Sequence, residues 1–259
     1  MNTRTRRIAQ LASAGALTLA LCAGAFAWLD APRPEGIADD RADALAQQLM
    51  AAVDADAWER TGAITWTWAG SYTHLWDRER NFVRVHKGGW EVLVDLDRVQ
   101  GVATVDGVAL SGSARESAVA QAHALWANDS FWLTAPIKAF DPGTTRSRIT
   151  QVGGSDALLV AYSSGGITPG DAYLWHLDNT GRPVSWQLWV SIIPVGGVSM
   201  SWDTWVQLPT GAWASTRHAV GPIEFWVTDL HAAARLAELE PGPDPFARLV
   251  DALGAPRAP

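Results

Sequence analysis

The sequence predicts an α+β fold in which antiparallel sheet dominates and a few helices accompany it. Three observations point there. Apolar residues recur at helical spacing over 37–60 and again from Arg115 to Ala127. Between and beyond those segments the period drops to two, the mark of half-buried strands. The second half is a series of short β-type runs joined by brief turns rich in Gly and Asn, and such turns connect antiparallel neighbours.

At the N-terminus, Arg4, Arg6 and Arg7 precede an apolar run from Ile8 to Leu29 that contains Ala25-Phe26-Ala27. A basic start, an apolar stretch and an A-x-A pattern describe a secretory signal peptide cleaved after Ala27. Two alternatives stay open. The run is long enough to remain as a membrane anchor, and Leu19-Ala20-Leu21-Cys22 resembles a lipobox that would be acylated at Cys22. The chain is therefore divided into residues 1–27 as signal peptide or anchor, residues 28–240 as a single domain, and residues 241–259 as a Pro- and Ala-rich tail. Phe246, Leu249, Val250 and Leu253 mark a short docking helix within that tail.

Without residues 1–27 the chain keeps 17 basic against 27 acidic side chains. That acidity argues against nucleic acid and against anionic membrane surfaces as partners. The only cysteine leaves with the leader, so stability must come from core packing rather than from disulfides.

In the segment 37–60, Ala42, Leu45, Ala46, Leu49, Met50 and Val53 form one helical stripe, and Asp39, Asp40 and Asp43 suit the positive end of its dipole. Then Ile64, Trp66 and Trp68 share one strand face. Trp90, Val92, Val94 and Leu96 share another, with turns at Lys87-Gly88-Gly89 and Asp106-Gly107. In the second helix, Ala118, Ala122, Leu125 and Trp126 lie to one side, and a break is expected at Pro136. Strands are expected at 146–152, 157–163, 172–178, 183–192, 198–207, 212–219 and 223–229. Trp189 and Trp205 fall on the faces opposite Trp186 and Trp202, so both faces of this sheet need cover.

Fifteen tryptophans against three tyrosines imply thick aromatic cores or an aromatic-lined cavity. No catalytic signature accompanies them. The six histidines show no zinc spacing, and the chain has no G-x-S-x-G elbow and no phosphate-binding loop. No cofactor and no metal site is expected, and Ser163-Ser164-Gly165-Gly166 reads as a hairpin connection. Trp76-Asp77 and Trp202-Asp203 would suit stacking of a sugar ring. Arg84, set between Val83 and Val85, must be paired if it faces inward.

Asn128-Asp129-Ser130-Phe131-Trp132-Leu133, then Pro136 and Lys138, then Asp141-Pro142-Gly143 resembles a stretch of exported relatives of the LolA/LolB outer-membrane lipoprotein carriers, which often read Asn-Asp-Thr-Tyr-Trp-Leu, Pro, Lys and Asp-Pro-Gly. Leu75-Trp76-Asp77 and the block from Gly166 to Tyr173, running on to Gly181-Arg182-Pro183 and Trp186, resemble the same group. The resemblance covers roughly residues 58–229. It implies a curved antiparallel sheet forming an incomplete barrel, with helices across its open side and a concave apolar face that receives acyl chains. The expectation is a non-enzymatic carrier in the periplasm or cell envelope, binding a lipid or the acyl chain of a lipoprotein. Trp66, Trp68, Trp90, Trp186, Leu188, Trp202 and Phe225 are expected to line the concave face, with Phe131 and Trp132 near the helical cover. The alternative is an exported carbohydrate-binding module that stacks sugar on exposed tryptophans.

Overall fold

The computed structural model describes residues 30–164 and 168–254. The expected leader, Cys22, the Gly165-Gly166 turn and the last five residues of the tail lie outside the described residues. Helix α1 spans Asp40–Ala52, and the Asp39 carboxylate caps it by accepting from the Ala42 amide at 3.1 Å. The helix does not continue to residue 60 as its apolar stripe suggests. Asp54 takes a left-handed conformation (φ 54°), and its side chain accepts from the Ala57 amide at 2.9 Å to start a new helix, α2 (Ala55–Arg60). The break re-aims the stripe so that Trp58 is fully buried, with its indole N–H donating to the Trp213 carbonyl at 3.1 Å.

Six strands come next: β1 (Ala63–Trp68), β2 (Tyr72–Asp77), β3 (Phe82–Lys87), β4 (Trp90–Asp95), β5 (Gln100–Val105) and β6 (Val108–Ala109). A long helix α3 (Gly112–Thr134) and a 3-10 turn (Ala135–Lys138) separate them from β7 (Thr144–Thr150), β8 (Asp156–Tyr162), β9 (Ala172–Leu177), β10 (Pro183–Trp189), β11 (Val198–Ser201), β12 (Asp203–Gln207), β13 (Trp213–Val220) and β14 (Ile223–Ala233). Short helices α4 (Leu236–Leu239) and α5 (Ala247–Leu253) end the described chain.

The architecture is α+β with two antiparallel sheets, one of nine strands in the order β12-β13-β14-β1-β2-β3-β4-β5-β6 and one of five in the order β11-β10-β9-β8-β7. They meet where a single residue, Trp202, separates β11 from β12, so one chain path passes from sheet to sheet. The Ala219 amide of β13 donates to the Ser201 hydroxyl at 3.0 Å across that junction. Strands β6 and β7 stand at the two far edges, and the described strands close no barrel.

Helix α3 reaches Thr134, seven residues beyond the expected end. Asn128, Asp129 and Ser130 disfavour a helix interior because their side chains compete for backbone hydrogen bonds. Here one tertiary contact, supported by a local side-chain bond within the helix, overrides that preference. The buried Asp129 carboxylate meets Nε2 of His74 at 2.8 Å, and the Thr134 hydroxyl donates to the Ser130 carbonyl at 2.8 Å. Phe131, Trp132 and Leu133 are therefore helical, and Pro136 sits at the start of the 3-10 turn, where its missing N–H does no harm.

The N-terminal half of α3 lies on the nine-stranded sheet, with Ala118, Val119 and Ala122 against Val83, Val85, Val92, Val94 and Ala103. Gly101 permits this approach, since a Cβ there would stand 3.2 Å from Val119 and 2.1 Å from the Leu93 carbonyl oxygen. Helix α1 lies on β7 and β8, packing Ala46 and Leu49 with Leu158, Val160 and Trp175. Ion pairs Arg146–Asp43 (2.5 Å) and Arg148–Asp39 (2.9 Å) rim that contact.

The opposite faces are covered too. Phe246 and Leu249, on and beside α5, bury Leu75, Phe82 and Leu93 behind the nine-stranded sheet. Arg84 shares that outer side and pairs with Glu240 at 3.1 Å. Behind the five-stranded sheet, Ala157, Leu159, Ala172, Leu174 and Trp189 form a smaller cluster. The extended segment 30–37 runs between its two sides. The Asp30 carboxylate accepts from the Gly196 amide at 2.7 Å, Trp189 donates its indole N–H to the Ala31 carbonyl at 2.7 Å, and Ile37 pairs with Arg148 of β7.

Candidate functional site: an aromatic cavity beneath the long helix

Period-two alternation and strand register set the floor of the site. Across the five-stranded sheet, Val160, Tyr173, Leu188 and Val198 stand in one row, and Leu158, Trp175, Trp186 and Met200 in the next. These rows face the C-terminal half of α3, which lowers Phe131 and Trp132 onto them. Phe131 lies 5.0 Å from Tyr173 and 5.7 Å from Tyr162, measured between ring centroids. Trp132 stands edge-on to Trp186 at 5.1 Å and stacks on Trp68 at 4.9 Å.

The helix and the sheet do not close fully here. A cavity of about 570 Å³ remains, bordered by α3, the 3-10 turn, β8 to β11 and the loop after β10. Its walls are chiefly rings and aliphatic chains, including Trp126, Phe131, Tyr162, Leu188, Ile193 and Met200. Ile192 at its rim is 66% exposed. The volume falls within the range of small-molecule sites.

Four charged or titratable groups outside the phenols line it: His123, Lys138, Asp141 and Asp171. Lys138 pairs with Asp141 at 3.1 Å. Asp171 is 5% exposed. Its carboxylate accepts from the Thr168 hydroxyl (2.5 Å), the Ser191 amide (3.0 Å) and the Tyr173 hydroxyl (3.4 Å). Burial, reinforced by the Asp141 charge, pushes the Tyr162 phenol above its ordinary range, and burial with the Asp171 charge does the same to Tyr173. Burial lowers His123, which favours its neutral form.

Behind the wall sit two fully buried histidines. His74 stacks on Trp66 at 4.6 Å and bonds Asp129, pinning α3 to β2. His218 packs against Trp132 (5.0 Å) and Trp202 (4.6 Å). Its Nδ1 lies 3.2 Å from the Ser201 carbonyl, which assigns the proton to that nitrogen. Burial pushes its pKa down to about 4.

Of the nine residues expected to line a cavity, seven on the concave face and two near the helical cover, the observed cavity gathers Phe131, Trp132, Trp186 and Leu188. Trp66, Trp68, Trp90, Trp202 and Phe225 stand elsewhere. Trp66 is core under α3. Trp68 and Phe225 stack on each other at 6.1 Å behind Trp132. Trp90 sits edge-on to Tyr72 at 5.7 Å, far along the nine-stranded sheet. Trp202 is fully buried at the junction of the sheets. The physical reason is that small residues on α3 let the helix fill the groove over β3 to β5, and the larger space is left where α3 bears large rings. Sequence reasoning passed over Tyr162, Tyr173, Trp126 and the loop residues Val190 and Ile193. Tyr173 alternates with Trp175, which was a usable signal. The others depend on register and loop path.

Among the described tryptophans only Trp226 is exposed, at 41%. Among the described residues no group of three or more His, Cys, Asp or Glu side chains is placed to hold a metal ion, and no helix is long and apolar enough to cross a membrane. In comparisons with known proteins, the chain matches no protein-family model and no curated protein.

Proposed function

We propose that this chain is an exported, non-enzymatic carrier that holds a lipid, or an acyl chain of a lipoprotein, in the cavity between α3 and the five-stranded sheet. One observation carries the reading: an apolar, ring-lined hollow of about 570 Å³ is kept open beneath the C-terminal half of α3, while the interior under its N-terminal half is filled by packed side chains. Transfer of a chain from water into such walls gains about 0.8 kcal/mol per methylene. Rigid aromatic side chains supply that contact with little entropy to lose. The sheet path from β7 through β11 and β12 to β6, with α1 and α3 on its inner side, suits a LolA-like incomplete barrel. The basic and apolar start of the sequence supports export to the periplasm or envelope, with attachment through the N-terminus as the alternative to cleavage. The scarcity of exposed indoles weighs against the sugar-stacking alternative.

The test is direct. The chain beginning at Trp28 is purified, extracted and analysed for lipid by mass spectrometry, then titrated with the neutral dye N-phenyl-1-naphthylamine. Saturable dye binding that is displaced by acyl lipid is expected. Absence of both co-purified lipid and saturable dye binding would overturn the reading.

A further inference from the structure

The charges around the cavity are unbalanced, and this bears on the ligand's head. Lys138 is the one cation among the described lining residues, and Asp141 already neutralises it at 3.1 Å. Asp171 adds a second carboxylate, buried and held by two hydroxyls and an amide. His123 is held toward its neutral form by burial. The lining therefore carries a formal charge of one negative, set among apolar walls where screening by water is weak. Burial raises the phenols of Tyr162 and Tyr173 first, and the neighbouring aspartates add to it in the same direction.

Resting on the carrier reading above, we propose that the cavity selects uncharged acyl lipids, such as an ester-linked glyceride, and rejects the free carboxylate of the same chain. A carboxylate head entering this mouth meets Asp141 and Asp171, and the lining lysine is already paired. An ester carbonyl carries no charge to repel. Tyr162, Trp126 and Trp186 contribute ring surface to these walls, while their hydroxyl and indole N–H groups are buried within the packing without a partner.

The experiment compares 1-monooleoylglycerol with oleate, both below their aggregation limits at pH 8, by displacement of N-phenyl-1-naphthylamine. The neutral lipid is expected to bind at least tenfold more tightly. Asp171→Asn and, independently, the turn variant Asp141→Asn are each expected to narrow that gap at least threefold by improving oleate binding. Oleate binding as tightly as the glyceride, or a gap unchanged in both variants, overturns this assignment while dye and glyceride binding leave the carrier reading intact. Failure of dye, glyceride and oleate alike overturns both.

Discussion

His218 makes the interior of this protein sensitive to acid in a calculable way. Its imidazole is fully buried among Trp68, Trp132 and Trp202, and burial lowers its pKa from 6.5 to about 4. In the unfolded chain the ring takes a proton near pH 6.5. In the folded chain it does not do so until about pH 4. Between those values the unfolded state binds more protons, so stability falls as pH falls through that window and is unaffected by this group above it. The displacement corresponds to a loss of about 3 kcal/mol once pH 4 is reached. Urea unfolding followed by tryptophan fluorescence at pH 7, 6, 5 and 4.5 would measure it. His218→Phe keeps a ring in the site and removes the titration, so its stability should decline less steeply than that of the wild type. His123 and His176 are also lowered by burial and contribute a slope of the same sign to both proteins, which the difference cancels. Parallel curves for the two proteins, or an NMR titration of the His218 ring with a midpoint at or above 6.5, would refute the argument.

Other consequences can be measured alongside. Gly101→Ala should destabilise by about 1–3 kcal/mol, because its methyl would strike the Leu93 carbonyl and push α3 away; an unchanged urea midpoint would contradict this. Asp129→Ala should cost about 1–3 kcal/mol by stranding His74 and should loosen the α3 residues after Ala127, read as faster amide exchange there. Val190→Trp should occupy the cavity and weaken N-phenyl-1-naphthylamine binding at least tenfold while the urea midpoint stays near that of the wild type. Trp189→Phe removes the bond to the Ala31 carbonyl and should speed exchange of the Ala31 amide with a loss of about 1 kcal/mol or less.

The fold class was written in periodicity, which senses one element at a time. The faces of β1 and β4 emerge from alternation alone, and Ile64, Trp66 and Trp68 do share the helix side of their sheet. Alternation could not say that α3 would lie flat over that side, because this depends on Gly101 and Val119 meeting across 18 residues of chain. The break in the first helix was also hidden. Asp54 is an ordinary residue on a helical stripe until its left-handed backbone lets it cap α2. At the end of α3, local propensity pointed away from helix, and a single buried contact with His74, 55 positions earlier, decided otherwise. The cavity combines both difficulties. Phe131, Trp132, Trp186 and Leu188 were visible as large apolar side chains on defined elements, whereas Tyr162 and the β10–β11 loop join them only through a register that five strands must agree on.

Strand β1 pairs on one side with its immediate successor and on the other with β14, so Ala63 faces Ala233. As the chain emerges from a ribosome or a translocation pore, the hairpins β1 to β5 can zip at once, but one margin of β1 keeps its amides and carbonyls bare until about 170 further residues have emerged. Contacts so distant in sequence slow the search for the native state, and an open margin invites a stranger's strand. A truncation before residue 223 would leave that margin permanently open, and the product should aggregate rather than persist as a smaller soluble unit.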